Sequence, residues 1–366
     1  MLFSVRDIDA LRFLRWCRYA APDDMARMFG DVTMANLKTL RFIHTQKSGG
    51  VLTLTGKGNE FLDALLPGIP SEVSKTYKEK DIRRRVRVSK IALTAYRAGF
   101  SVFSNQIEDL RCSSSLFLPA IARGRGANPW SSSRIAAIVR IGDTLGSIHY
   151  VCPGIGKILL TDELTTFSNN TSRIGNVRRV LLFGGESYRD ILAELEALPE
   201  QQDKGKEDGR LTSYGDACQK INMAVHLLPC DDTGALQLRL MSQKDYRRRL
   251  TEAALRSQYQ PPPQEHPEWD AIFQGTPFVM AADMNLRRVQ RAINAAQECG
   301  LMPIAMVALK EQAEAVLNTR YRNTSLARVF MLSPKALGEV VDPTLHEPPA
   351  RAFLTKGGDT ADVPLI

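Results

Sequence analysis

No stretch of the 366-residue chain approaches the run of about eighteen apolar residues that a membrane-spanning helix needs. The N-terminus also lacks the charged lead, apolar run and small-residue cleavage site of a secretory leader, so a cytoplasmic protein with no membrane partner is expected. Six cysteines are scattered, with no CxxC and no local His partner, which suggests neither a zinc site nor a disulfide framework. The five histidines form no HxxxH, HExxH or HxH pairing, so a metal hydrolase is unsupported and no cofactor is expected. No internal repeat is visible.

Two glycine-bearing turns fall short of a catalytic signature. Pro153-Gly154-Ile155-Gly156-Lys157 offers backbone amides and a lysine to a phosphate. A phosphate loop, however, needs a longer glycine spacing and a Ser or Thr where Ile158 stands. Phe183-Gly184-Gly185-Glu186-Ser187 lacks the glycine after serine that a nucleophile elbow requires. Ordinary turn glycines account for both.

What the chain does have is positive charge at one end. Residues 1–98 hold 18 Lys and Arg against 10 Asp and Glu, whereas the remaining 268 residues hold 30 of each, so the whole excess of +8 is N-terminal. A cationic surface of this kind releases condensed counterions on meeting phosphate, which gives salt-dependent, sequence-independent affinity for nucleic acid. Ordinary solvated Lys and Arg would produce the same net charge but not its segregation.

The same end is patterned as a winged helix-turn-helix over residues 1–68. Asp7 stands where an N-cap belongs, ahead of Ile8, Leu11, Leu14 and Cys17 on one apolar stripe. Ala21-Pro22-Asp23-Asp24 restarts the chain into a short helix with Met25, Met28 and Phe29 inward, ended by Gly30. Thr33 is expected to open a third helix running to about Gln46. In it Met34, Leu37, Leu40 and Ile43 face inward and Asn36, Lys38, Thr39, Arg41 and Lys47 face outward, as on a recognition helix. Ser48-Gly49-Gly50 before Val51–Leu54 is a hairpin signal, and Thr55-Gly56-Lys57-Gly58 caps a last helix with Phe61, Leu62, Leu65 and Leu66.

Residues 69–77 read as a linker and 78–342 as a larger mixed α/β domain, giving an α+β chain overall, with an extended tail at 343–366. A helix from Lys78 carries Ile82, Val86, Ser89, Leu93 and Tyr96 on one stripe. Arg83, Arg84, Arg85 and Arg87 crowd the rest of it, either tracking a phosphate backbone or covering a neighbouring core. Arg123-Gly124-Arg125-Gly126 before Trp130 is a further candidate contact loop. Strands are expected at 134–141, 147–152, 180–183, 223–228, 235–241, 278–281, 302–308 and 328–331. Helices are expected at 187–198, 244–257, 285–299, 309–318 and 334–341, with surface loops near 199–210 and 260–268. His149 reads as a hydrogen-bonded core or rim residue, Asp231 and Asp232 as a hairpin turn, and Asp283 as a helix cap at the carboxyl edge of a sheet.

The Val5-Arg6-Asp7-Ile8-Asp9-Ala10-Leu11 opening, the segment 52–58, and a helix over 86–98 feeding a strand at Phe100–Phe103 resemble the replication-relaxation family. That resemblance covers about residues 1–150 and implies a protein of plasmids and conjugative elements with a restriction-endonuclease-like second domain. A nuclease of that fold needs carboxylates and a lysine on adjacent strands to hold Mg²⁺. Leu118–Ile121 and Ser147–Val151 offer no acids, and Asp143 lies in a turn, so the implied domain is a scaffold without catalytic residues.

The leading expectation is a non-enzymatic protein that binds double-stranded DNA in plasmid or conjugative DNA processing or in transcriptional control. Asn36, Thr39 and Arg41 would read the major groove, Lys38 and Lys47 would contact phosphate, and Gly49, Gly50 and Arg83–Arg87 would reach neighbouring backbone. DNA-processing or conjugation proteins would be partners, and pairing as a homodimer would suit a palindromic site although no heptad seam demands it. Two other classes stay open. One is a divergent Mg²⁺ nuclease using Asp143, or a nucleotide-binding enzyme using Gly154–Lys157; the other is a protein-interaction module whose winged helix binds a partner.

Overall fold

The computed structural model describes residues 3–46, 49–67, 78–112, 114–122, 130, 133–152, 160–175, 178–197, 223–321, 324–349, 352–354 and 360–362. The chain is mixed α/β, as expected, and divides into two compact units, residues 1–138 with 346–366 and residues 139–345. The units part at 138/139, and the expected linker at 69–77 lies wholly outside the described residues.

In the first unit, α1 (Val5–Cys17) is capped by Ser4 and not by Asp7. The Asp7 amide donates to Ser4 Oγ (3.1 Å) and the Ser4 amide donates to Asp7 Oδ2 (2.8 Å), a reciprocal box in which Asp7 is already helical. Helix α2 (Pro22–Phe29) begins on proline and ends on Gly30 at φ +85°. Helix α3 (Asp31–Thr39) stops well short of Gln46. Arg41 adopts a left-handed φ of +59°, the Phe42 amide turns back to the Leu37 carbonyl (3.0 Å), and β1 (Ile43–Thr45) pairs antiparallel with β2 (Leu52–Leu54). Leu40 and Ile43 keep helical spacing, but Ile43 is buried from a strand.

Gly49 and Gly50, at φ +80° and +61°, turn the hairpin, and α4 (Gly56–Leu65) starts from Thr55, whose hydroxyl accepts the Gly58 amide (3.0 Å). Three helices, a hairpin and a fourth helix thus follow in the expected order.

Helix α5 (Glu79–Arg97), expected to open the second domain, belongs to this first unit. The Tyr96 hydroxyl donates to Asp9 Oδ2 on α1 (2.6 Å), Ile82 is buried with Tyr19 and Val51, and Lys90 Nζ lies 3.9 Å from Asp24 on α2. The expected strand at Phe100–Phe103 reduces to one bridge between Ser101 and Ser115 at the start of β3 (Ser115–Phe117), which precedes α6 (Pro119–Ala122). The tail is docked here rather than merely extended. The His346 amide donates to the Arg97 carbonyl (2.8 Å), Arg6 Nε donates to the Pro348 carbonyl (3.0 Å), and Ala352–Leu354 pairs with Thr360–Asp362.

The division falls inside β4 (Ala137–Ile141). The second unit continues through β5 (Thr144–Tyr150), α7 (Leu160–Thr171), β6 (Arg178–Gly185), α8 (Tyr188–Glu196) and β7 (Ala224–Pro229), with β4 to β7 side by side and β5, β6 and β7 parallel. The segment expected as a strand at 235–241 is instead α9 (Asp232–Met241). Asp231 caps it by accepting the Gly234 amide (2.9 Å), so the two aspartates start a helix rather than a hairpin. Gly234 is required there, since a Cβ would stand 1.9 Å from the Pro229 carbonyl oxygen.

After α10 (Tyr246–Leu255) come β8 (Ala271–Phe273), β9 (Thr276–Met280), α11 (Leu286–Glu298), β10 (Ile304–Ala308) and β11 (Ala327–Met331). Strands β9, β10 and β11 are parallel, and β8, which had no sequence signal, runs antiparallel on β9. One core joins Leu181 and Phe183 of β6 and Leu227 of β7 to Val279 and Met306 of the second sheet and to the inward face of α11, Val289, Ile293 and Ala296. Residues 310–321 are helical in three short stretches, and the closing helix spans Pro334–Gly338, shorter than 334–341.

Candidate nucleic-acid interface

Helix α3 is anchored by Thr33, Met34 and Leu37, all buried, and it leaves Val32, Ala35, Asn36 and Thr39 exposed on its opposite face at i, i+3, i+4 and i+7. The stripe is uncharged and short-chained. Val32 is 74% exposed, an unusual position for a branched apolar side chain, and the Thr39 hydroxyl is tied back to the Ala35 carbonyl (2.9 Å). Lys38 is exposed beside the stripe, while Arg41 is exposed just beyond the helix in the left-handed turn and so does not project from its face as expected.

The far end of α3 is fixed by contacts that the sequence hides. Thr55 Oγ donates to the Arg41 carbonyl (2.7 Å), the Thr55 amide donates to the Phe42 carbonyl (2.9 Å), and Gly58 approaches so closely that a Cβ would lie 2.3 Å from the Phe42 oxygen. Lys57 then extends over the Phe42 ring, 5.4 Å from its centroid, and donates to the Leu40 carbonyl (3.1 Å). This places an exposed ammonium at the C-terminus of α3, where the helix dipole favours it. Lys57 carries no signal of its own in the sequence, because it reads as part of a helix cap. Gly49 and Gly50 are exposed at the hairpin tip; Lys47 and Ser48 lie outside the described residues.

The arginines of α5 are not one free basic stripe. Arg83 is exposed and paired with Glu79 (2.5 Å), Arg84 donates to the Ser133 carbonyl (3.2 Å), and Arg85 lies 6.0 Å from the centre of the Tyr19 ring. Burial lowers the Arg85 pKa, with the neighbouring Arg18 and Arg84 charges adding to that, and Arg87 is half-buried and partnered. Arg84 and Arg85 are thus engaged within their own unit. Arg123–Gly126 lie outside the described residues.

The second unit holds a feature that sequence reasoning missed, an open cleft of about 1520 Å³ whose walls include Arg178, Lys244, Arg247, Arg248, Arg287 and Arg291. On its floor Asp283 accepts from the Tyr246 hydroxyl (2.7 Å) and the Asn285 amide (3.2 Å), while Asn285 caps α11 by accepting the Arg288 amide (3.2 Å). Asp283 is therefore not the cap that its position suggested. Burial raises its pKa, but the Arg288 and Arg247 charges, the Tyr246 hydroxyl and, where protonated, His226 outweigh that and hold it at about 2. His226 Nδ1 lies 2.8 Å from the Asp283 carbonyl oxygen; a carbonyl only accepts, so Nδ1 carries the proton and Nε2 is left as an acceptor. Burial lowers the His226 pKa, which keeps the ring neutral at pH 7.

His149, expected to be hydrogen-bonded, is buried in β5 with neither ring nitrogen partnered among the described residues. The turn of Gly154–Lys157 lies outside the described residues, and Asp143 is exposed between β4 and β5. Among the described residues no three His, Cys, Asp or Glu side chains stand together to hold a metal ion, and no helix is long and apolar enough to cross a membrane. No family model, no curated protein and no solved structure matches the chain.

Proposed function

We propose that the first unit binds duplex DNA, with α3 in the major groove and the β1–β2 hairpin as a wing on the adjacent backbone. The observation that carries this reading is the α3 surface. An uncharged stripe of Val32, Ala35, Asn36 and Thr39 is backed by a buried face and bracketed by the cations Lys38, Arg41 and Lys57. Short polar and methyl-bearing side chains suit base edges, and flanking cations suit phosphates. The surplus of +8 confined to residues 1–98 supplies long-range attraction. On this reading the chain is a non-enzymatic DNA-binding protein. The resemblance to the replication-relaxation family suggests plasmid or conjugative DNA processing, or control of its transcription, as the setting.

The test is a duplex shift assay on the full chain across a salt series. Lys38→Ala with Arg41→Ala is expected to weaken binding to every duplex and to flatten the log–log salt dependence by about 2, close to one for each phosphate that is no longer neutralised. An unchanged affinity and slope would remove α3 from the interface.

A further inference from the structure

The cleft of the second unit has the chemistry of a second phosphate site, built wholly from residues of that unit. Its lining carboxylates are mostly spoken for. Asp270 pairs with Arg288 (2.6 Å), Asp283 is bonded by Tyr246, Glu268 lies against His266 (3.2 Å), and Asp245 is 4.0 Å from Arg248. Asp143 is exposed and accepts from the Thr144 hydroxyl (3.2 Å). The lining cations are not balanced in the same way. Among the described residues Arg178, Lys244 and Arg291 are exposed and in no ion pair.

These cations come from separate places, the first residue of β6, the turn between α9 and α10, and the middle of α11, and they converge only because the sheet topology brings those elements to one rim. Like charges lining one cleft repel each other and concentrate field lines into its opening, a cost that a polyanionic ligand relieves. The volume leaves room for an extended ligand. At about 1520 Å³ the cleft exceeds the roughly 300–1,000 Å³ that small molecules and cofactors fill. Half-buried Tyr259, also lining the cleft, adds an aromatic face.

We propose that this cleft binds a single nucleic-acid strand, its phosphates on Arg178, Lys244 and Arg291, as a site independent of the duplex-reading face of the first unit. The full chain would be titrated into a labelled oligo-dT of about 15 nucleotides, followed by fluorescence anisotropy over a salt series, with ATP and inorganic pyrophosphate as separate competitors. Charge reversal at the three exposed positions, Arg178→Glu with Lys244→Glu and Arg291→Glu, is expected to lower strand affinity about tenfold or more and to flatten the salt slope by about 2. Lys244→Glu alone, at an exposed side chain outside any helix, is expected to flatten it by about 0.7 and serves should the triple variant fold poorly.

The α3 variant of the preceding section is expected to keep its strand affinity, so failure of the duplex reading and failure of this one are separable. Strand binding that survives the charge reversals, or that disappears only in the α3 variant, overturns the proposal. So does saturation of the cleft by ATP or pyrophosphate in a protein that binds no strand.

Discussion

The Tyr246 hydroxyl donates to Asp283 Oδ2 at 2.7 Å, tying the first turn of α10 to the segment that follows β9. The carboxylate so held is buried, and with Arg288, His226 and Arg247 around it its pKa falls from 3.8 to about 2. A carboxyl whose folded pKa lies below its unfolded value stabilises the fold above the unfolded pKa and loses that stabilisation as pH falls through the folded one. Asp283 therefore contributes about 2 kcal/mol at neutral pH that disappears between about pH 4 and pH 2. Tyr246→Phe is expected to raise the Asp283 pKa and to cost about 1–2 kcal/mol in urea unfolding at pH 7, with a smaller deficit at pH 2. An equal deficit at both pH values would show that the hydroxyl acts only through packing.

His149 gives the opposite kind of buried group, one that the fold tolerates rather than uses. It is 1% exposed, its ring lies 6.2 Å from that of Phe183, neither nitrogen has a partner among the described residues, and burial lowers its pKa to about 4. The unfolded chain takes up this proton near pH 6.5 and the folded chain only near 4, so stability drains as pH falls across that interval, by up to about 3 kcal/mol. His149→Leu is expected to raise stability at pH 7 by about 1–2 kcal/mol, because an unsatisfied polar ring is replaced by an apolar side chain of lower desolvation cost. It should also remove the loss between pH 6.5 and 4. Chemical unfolding at pH 7 and pH 5 measures both effects, and a destabilised variant at pH 7 would mean that the ring has a partner after all.

The order of the first four helices and the hairpin is legible in the sequence because short-range chemistry punctuates it: Ser4 and Thr55 as caps, Pro22 at a helix start, Gly30 and Gly49–Gly50 at reversals. The end of α3 is not, because the break falls on Arg41, a residue with no intrinsic preference for the left-handed region, while Leu40 and Ile43 preserve a helical interval across it. Helix α9 misleads for a related reason. Leu236, Leu238 and Leu240 alternate as in a strand, and the buried set Ala235, Gln237, Leu238 and Leu240 wraps too wide an arc to show helical periodicity. The cleft is invisible for a third reason: Arg178, Lys244 and Arg291 mean nothing as a set until β6, the α9–α10 turn and α11 are placed together.

Gly56 and Gly58 sit two residues apart in α4 and are expected to respond oppositely to the same change. At Gly56 a Cβ meets nothing within 4 Å, whereas at Gly58 it would lie 2.3 Å from the Phe42 carbonyl oxygen and 3.1 Å from the Leu54 side chain. Gly56→Ala should be neutral or stabilise by up to about 1 kcal/mol. Gly58→Ala must push α4 away from the hairpin and should cost about 2 kcal/mol or more, with the melting temperature of the first unit as readout. Matched melting temperatures for the two variants would mean that α4 does not pack where Thr55 and Phe42 place it.

On the proposed DNA-binding reading, the α3 surface would make two kinds of contact that mutation can tell apart. Asn36 stands at the centre of the exposed stripe with Val32 one turn earlier, and an asparagine in the groove pairs with adenine while a branched methyl meets thymine. Asn36→Ala is expected to cost about 1–3 kcal/mol on the preferred duplex and far less on others, relaxing base preference at one position while leaving the salt slope unchanged. Lys57 should behave in the opposite way. Its ammonium, held at the end of α3 by the Leu40 carbonyl and the Phe42 ring, is placed for phosphate, so Lys57→Ala should weaken all duplexes alike and reduce the salt slope by about 0.9. Selection of bound duplexes from a random pool, followed by salt titrations of each variant, distinguishes these signatures. If Asn36→Ala lowered every duplex equally with an altered slope, the stripe would be contacting backbone and base reading would have to come from elsewhere in the unit.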